Sequence, residues 1–220
     1  MNDFIDAYCE RLGAGFWAEP TNALTNLAFL VAAYLLYQRL RGSGDVPALL
    51  LTLLIGLIGI GSFLFHTYAT VWASLADVLP IVAYMMAAIG IGLKRRFGLP
   101  TQAAALGAVI FVFATTLIMF SPFMAFLPSG SVAYLPALIV LALFAISLTL
   151  KSSEFAVFFV IATPIFALSL FLRTLDAPLC DLVPSGTHFA WHVLNAVTLY
   201  LVTWGLVRDG TIAARTEERS

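Results

Sequence analysis

Charged residues are scarce in this chain. Of its 220 residues, 11 are Lys or Arg and 12 are Asp or Glu, which makes 10% charged against 61% hydrophobic. The mean hydropathy is +0.99. A water-soluble globular domain carries about 25% charged residues, so this composition excludes that class and indicates an integral membrane protein.

Basic residues are also too few and too dispersed to form a nucleic-acid-binding face. The formal net charge is -1, whereas phosphate binding needs a clustered positive surface. The sequence has no repeat of fixed period and no low-complexity tract, and its N-terminus lacks the basic region of a signal peptide. We therefore expect no nucleic-acid partner and one compact unit that retains its N-terminal residues.

Seven apolar segments approach the roughly 20 residues that a helix needs to cross a bilayer. They are residues 22–37, 47–66, 75–93, 101–119, 132–150, 155–172 and 187–207. The pattern predicts an all-α, seven-transmembrane-helix bundle in the lipid bilayer. We expect a single membrane domain over residues 1–210, followed by a polar cytoplasmic tail over residues 211–220.

The basic residues outside these segments predict the orientation. Only Arg11 and Arg173 fall on one side. The other side holds Arg39, Arg41, Lys94, Arg95, Arg96, Lys151, Arg208, Arg215 and Arg219. Because Lys and Arg favour cytoplasmic loops, the bias places the N-terminus in the extracytoplasmic space and the C-terminus in the cytoplasm.

The chain has two cysteines, Cys9 and Cys180, and both fall on the predicted outer side. An extracytoplasmic location permits a disulfide. Two free thiols fit the same positions, so the sequence pattern leaves both alternatives open.

All three histidines lie at one predicted membrane depth, near the outer surface. His66 ends the second segment, while His188 and His192 begin the last one and are one helical turn apart. Three histidines with one open position are typical of a catalytic zinc site, where the ion activates water near neutral pH. Hydrogen bonds to water or headgroups would be the simpler role, but the convergence of all three favours a metal site near the outer leaflet.

Ser62 and Asp77 lie at the same depth. Ser62 is on the helical face of His66, four residues before it, and Asp77 is expected to open the third helix after a short outer loop. A carboxylate inside an apolar span is costly and therefore indicates function. Asp77 could transfer a proton or orient a histidine, and Ser62 could bond a water molecule, an oxyanion or simply its own backbone.

The N-terminal segment is the other concentration of polar residues. Its oxygen ligands are those that calcium prefers, and they come from Asp3, Asp6, Glu10, Glu19 and Asn22. The same carboxylates could instead lie beside the positive end of the first helix. The sequence therefore leaves a calcium site and a helix start as alternatives.

These patterns together resemble the alkaline ceramidase family, part of a wider group of seven-helix hydrolases that includes the adiponectin and progestin receptors. The shared motifs are Ser62-x-x-x-His66, Asp77, His188-x-x-x-His192, Cys9-Glu10, Ala18-Glu19-x-x-Asn22-x-x-Thr25-Asn26 and Ala190-Trp191-His192-Val193-Leu194. They cover both ends of the chain and the second and third segments.

The resemblance implies a zinc-dependent amidase that cleaves the N-acyl bond of ceramide or a related N-acyl lipid to a fatty acid and an amine. It implies zinc ligands at His66, His188 and His192, and a disulfide between Cys9 and Cys180. Asp77 would be the proton shuttle, and Ser62 would stabilise the water or the oxyanion.

The resemblance also implies calcium, through Asp6, Tyr8, Glu10 and Glu19. The match is incomplete, because Ala7 stands where the family has Asp and Leu12 where it has Asn. We therefore expect calcium to be bound in an altered way or to be absent.

Two other classes of function fit a polar site at one end of a bundle. A non-catalytic receptor would use zinc only to tie helices together, so that replacing Asp77 would change nothing measurable. A solute transporter would need polar residues in both halves of the bundle, whereas this chain concentrates them at one depth. The sequence decides neither the exact lipid nor the oligomeric state.

Overall fold

The computed structural model describes residues 1–121 and 128–207, and the fold in these ranges is helical, without strands. The helices are α1 (Pro20–Thr25), α2 (Leu27–Leu40), α3 (Val46–Tyr68), α4 (Val71–Phe97), α5 (Thr101–Met119), α6 (Leu135–Leu150), α7 (Ala156–Leu175) and α8 (His188–Gly205). Short 3₁₀ segments precede α6 and follow α7, at Pro128–Tyr134 and Ala177–Leu179. The tail predicted at 211–220 lies outside the described residues, as do Arg208, Arg215 and Arg219.

Within residues 1–121 and 128–207, six helical stretches are long and apolar enough to cross a membrane, so the protein is an integral membrane helical bundle. They are Pro20–Leu40, Val46–Tyr68, Val71–Phe97, Thr101–Met119, Ser131–Leu150 and Ala156–Leu175. Helix α8 has 18 residues but is not among the six, because polar residues such as His188, His192 and Asn195 lower its hydropathy.

The connection between α3 and α4 is shorter than the sequence indicates. Only Ala69 and Thr70 separate the two helices, and Ala69 adopts a left-handed conformation with φ of 47°. The carbonyl of Thr70 accepts a hydrogen bond from the amide of Ser74, so the helix has already begun there. The expectation that Asp77 opens this helix was therefore wrong, and Asp77 lies in its second turn.

Helices α3 and α4 pack at backbone contact around Gly61. A Cβ atom at this position would overlap the carbonyl oxygen of Ala76 and would lie 3.0 Å from the amide nitrogen of Asp77. Small residues allow this kind of close approach between membrane helices. Gly61 thus sets the distance between α3 and the carboxylate-bearing turn of α4.

Replacing Gly61 with alanine is expected to destabilise the protein by about 1–3 kcal/mol, because the added methyl group must push the backbone of α4 away. Thermal unfolding of the purified protein in detergent would measure the loss. Gly56→Ala in the same helix is the matched control, since its Cβ would meet only Ala33 at 3.8 Å. Equal melting temperatures for the two variants would contradict the proposed close contact.

The last helix lies inside the bundle rather than at its edge. Helix α8 packs against α2, α3 and α7, and its polar side chains face inward, where His188, His192, Asn195 and Thr203 are buried. Apolar side chains from α2, α3, α6, α7 and α8 form the surrounding core. This placement brings the inward face of α8 to the ends of α1 and α3.

Candidate metal centre and adjoining cavities

The three histidines meet at one end of the bundle. Their ring centroids are 5.2 Å apart for His66 and His188, 4.8 Å for His66 and His192, and 4.6 Å for His188 and His192. One ligand nitrogen from each ring lies within 4.8 Å of the others, and all three side chains are buried. The residues predicted as a ligand set are therefore brought together and could hold a metal ion.

His66 is oriented by Glu19. The Nδ1 atom of His66 lies 2.6 Å from Oε2 of Glu19, which leaves Nε2 as the nitrogen available to an ion. Burial alone would raise the pKa of the Glu19 carboxyl, but hydrogen bonds from His66, Arg11 and Asn22 hold that pKa below its ordinary value. A histidine bonded to a carboxylate through its second nitrogen is the usual arrangement of a metal ligand.

His192 is oriented by Thr25. The Thr25 hydroxyl donates to the carbonyl of Thr21 at 2.8 Å, so it accepts the Nδ1–H of His192, at 2.9 Å. The remaining nitrogen, Nε2 of His192, is buried and has no hydrogen-bond partner among the described residues. A buried nitrogen without a partner costs free energy of folding unless something binds it, and a metal cation would bind its lone pair.

His188 is fixed by contacts with the α7–α8 connection and with the N-terminal segment. The carboxylate of Asp176 accepts hydrogen bonds from the amides of Thr187 and His188, at 2.7 and 2.9 Å, and so holds the first turn of α8. The ring of Tyr8 stacks on the His188 ring with centroids 3.7 Å apart. Nδ1 of His188 is buried without a partner in the described part of the chain, so the donor set fits a metal ion.

A polar cavity lies beside the histidines. Ser62 and Asp77, from α3 and α4, both line it. Arg173 lines it as well, packed against the rings of Tyr134 and Trp191 at 5.4 Å from each centroid. Nε and Nη1 of Arg173 have no hydrogen-bond partner among the residues described, so a buried cation remains available to a bound molecule.

A second cavity adjoins the first and is apolar. The two cavities share four lining residues, Ile58, Ile81, Tyr134 and Asn195, so they are neighbours. The lining of the apolar cavity extends as far as Leu206, at the end of α8. A space suited to hydrocarbon therefore lies next to the polar cavity.

The two cysteines form a disulfide between the N-terminal segment and the α7–α8 connection. The Cα atoms of Cys9 and Cys180 are 5.1 Å apart. This pairing agrees with the resemblance and decides between the two alternatives that cysteine positions alone left open. Tyr8 directly precedes Cys9, so the bridge keeps the Tyr8 ring in contact with His188, close to the metal centre.

Asp6, Glu10 and Glu19, the carboxylates among the expected calcium ligands, do not form a group that could share an ion in the described part of the chain. Among the described residues the histidines are the one group of three or more His, Cys, Asp or Glu side chains that could share an ion. Asp6 is exposed, and the carboxylate of Glu10 accepts the amides of Thr21 and Asn22, at 2.7 and 2.8 Å. Glu10 thus has the helix-start role that was the alternative, because these amides lack partners inside α1.

Four residues of the site were not predicted as such, namely Arg11, Thr25, Arg173 and Asp176. Arg11 and Arg173 were predicted only to be positive charges outside the apolar segments. Thr25 carried a signal in the motif shared with the family, but no role. Asp176 and Arg173 carried none, because their function depends on how α7 turns back toward α8.

The fold and the site define an integral membrane helical bundle with a buried three-histidine centre beside a polar cavity, which an apolar cavity adjoins. A family model described as Ceramidase matches residues 8–217, and the chain belongs to this ceramidase family. Membership supports ceramide hydrolysis in general and implies a hydrolase with a lipid substrate. No curated protein matches the chain.

Proposed function

We propose that the chain is a zinc-dependent amidase that hydrolyses the N-acyl bond of ceramide, or of a related N-acyl lipid, to a fatty acid and an amine. The observation that carries this proposal is a group of three buried, individually oriented histidines, two of which, His188 and His192, line one polar cavity together with Asp77. A metal centre that only tied helices together would not need a carboxylate and a hydroxyl beside it.

Zinc is the metal that this donor set favours. Three protein ligands with one position left open are typical of catalytic zinc, and His66, His188 and His192 would be those ligands. When bound, zinc supplies a water molecule activated near neutral pH and polarises a carbonyl group as a Lewis acid. The partners of two of the rings orient the nitrogens that would bind the ion, since Glu19 and Thr25 are each bound to an Nδ1 atom.

Asp77 would transfer the proton that amide hydrolysis has to move. Its carboxylate would accept a proton from the attacking water and donate it to the amine nitrogen, which is a poor leaving group unless protonated. Ser62, which lines the same cavity, would donate a hydrogen bond to the developing oxyanion. The contact of α3 with α4 at Gly61 keeps these two residues together.

Arg173 would bind the negative charge that the reaction creates. Its unpaired guanidinium nitrogens are in the same cavity as Asp77 and are suited to an oxyanion or to the carboxylate of the released fatty acid. The aromatic rings around Arg173 keep the cation buried in its place without using its N–H groups.

Replacing Arg173 with leucine is expected to lower kcat by about 10- to 100-fold, since a hydrogen bond to a charged group contributes about 1.5–3 kcal/mol. Inhibition by added fatty acid should weaken in the same variant. Arg173→Lys keeps the charge, so it should retain part of the wild-type kcat and part of the inhibition by fatty acid. Kinetics with a soluble N-acyl substrate would test this, and an unchanged kcat with unchanged product inhibition would contradict it.

The apolar cavity supports a lipid substrate rather than a peptide. Its walls are mainly apolar side chains of α4, α6, α7 and α8, and a lining of this kind is typical of sites that bind apolar small molecules. An acyl or sphingoid chain placed there would leave its amide at the histidine end. The amide would then lie between Asp77 and Arg173.

We also propose seven crossings, with the metal site near the outer leaflet. Helix α8 is enclosed by helices that can span the membrane, so its polar face would avoid lipid. The end opposite the histidines is basic: Arg95 pairs with Asp45 at 2.6 Å, and Arg96 donates to the carbonyl of Gly205 at 3.0 Å. The positive-inside rule would place that end, and the C-terminus, in the cytoplasm.

The decisive experiment combines metal analysis with a substrate panel. Purified protein should contain about one zinc per chain. It should release fatty acid from ceramide or another N-acyl lipid, lose activity on chelation and regain it with zinc. Esters of the same fatty acids in the panel would test the preference for amides. Bound zinc without release from any lipid would favour the non-catalytic receptor, and absence of zinc would overturn the proposal.

A further inference from the structure

We infer that the guanidinium of Arg11 is a built-in cation that takes the place of calcium and positions the metal ligand His66 through Glu19. This inference rests on the proposed zinc function. It explains why the oxygen ligands expected for calcium do not converge on an ion in this chain. Arg11 would be a positioning residue, since it acts on His66 and touches neither metal nor substrate.

Arg11 is buried, and all three of its guanidinium nitrogens are bonded. Nε binds Oε1 of Glu19, Nη1 donates to the carbonyl of Gly13 at 2.9 Å, and Nη2 donates to the carbonyl of His66 at 2.8 Å. A carboxylate and backbone carbonyls are also the ligands that calcium collects in proteins. The guanidinium therefore meets the same oxygens that a bound ion would.

Glu19 transmits this contact to the metal centre. Its Oε1 atom binds Arg11, and its Oε2 atom accepts from His66 at 2.6 Å and from Asn22 at 3.0 Å. Arg11 thus holds His66 twice, at its carbonyl and, through Glu19, at its ring. Replacing Arg11 would leave the buried Glu19 carboxylate without its arginine partner, and an uncompensated buried charge of this kind destabilises the arrangement that it holds.

Calcium could not share this arrangement. Calcium takes 6–8 oxygen ligands, yet both oxygens of Glu19 and both oxygens of Glu10 are already engaged with donors. The side chains of Ala7 and Leu12 offer no oxygen. The positive charge of Arg11 would also repel a divalent ion.

The test measures zinc affinity, which requires no substrate. Outer contacts of this kind change metal affinity by about 10- to 100-fold, so Arg11→Gly should bind zinc that much more weakly in a competition titration. Guanidinium or methylguanidinium added to Arg11→Gly should restore the affinity. Arg95→Gly is the matched control. It also removes an arginine from an arginine–carboxylate pair, since Arg95 pairs with Asp45, but this pair lies at the far end of the bundle. It should keep wild-type zinc affinity and respond to neither compound.

Calcium dependence provides the second measurement. Wild-type activity at fixed free zinc should stay constant from trace calcium to the millimolar range. Should Arg11→Gly fold poorly, Arg11→Lys keeps the charge but not the full set of bonds, and its zinc affinity should be intermediate.

Two results would overturn the inference while leaving the amidase proposal intact, namely wild-type zinc affinity in both Arg11 variants or a wild-type activity that requires calcium. Failure of the wild-type protein to bind zinc would overturn both proposals.

Discussion

Replacing Asp77 with asparagine is expected to lower the rate of N-acyl lipid hydrolysis by about 100- to 10,000-fold while zinc stays bound. Asparagine has the size of aspartate but accepts no proton from water and returns none to the amine. The three histidines keep their partners, because Glu19, Thr25 and Asp176 do not depend on Asp77. Single-turnover rates and zinc content of the same preparation would separate chemistry from metal loss.

Asp181→Asn is the control for this variant. Asp181 is an exposed carboxylate near the disulfide at the same end of the bundle, and its removal makes the same change in charge. It should leave rate and zinc content unchanged. Full activity in Asp77→Asn would exclude Asp77 as the proton shuttle and favour the receptor alternative.

Replacing His192 with alanine is expected to remove both zinc and activity. Two histidine ligands are fewer than either class of protein zinc site uses, so zinc content should fall from about one per chain to near zero. Metal binding contributes to stability, so the melting temperature should no longer rise when zinc is added. Metal analysis and thermal unfolding with and without added zinc would measure both effects.

Asn195→Ala is the matched control on the same helix. Asn195 lies almost one turn after His192 and lines the same cavity, but it offers no imidazole. This variant should retain zinc and the zinc-dependent rise in melting temperature. Retention of a full equivalent of zinc by His192→Ala would contradict the three-histidine ligand set.

The sequence predicted those parts of the protein that follow from hydrophobicity and helical periodicity. The segment at 101–119 has the bounds of α5, and the spacing of His188 and His192 placed two ligands on one helical face. The distribution of Lys and Arg and the direction of each helix then predicted that His66 lies at the same membrane depth. The convergence of the three histidines was therefore predictable from the sequence, without a measured distance between them.

Contacts between segments far apart in sequence could not be predicted in this way. Arg11 reaches Glu19 and His66 because the N-terminal segment folds back over α3, with Phe4 bridged to Thr70. Asp176 binds the first turn of α8 because the chain reverses after α7. No periodic signal marks such loop geometry, and the short α3–α4 connection was missed for the same reason.

The disulfide also bears on the biosynthesis of the protein. It joins residues 171 positions apart, and two of the three histidines belong to the last helix. Until the chain has been synthesised past α7, Cys9 has no thiol to pair with and His66 is the sole imidazole present. Oxidation of the cysteine pair therefore marks the chains that have been synthesised beyond α7, and a chain that ends within α7 carries neither the crosslink nor the ligand set.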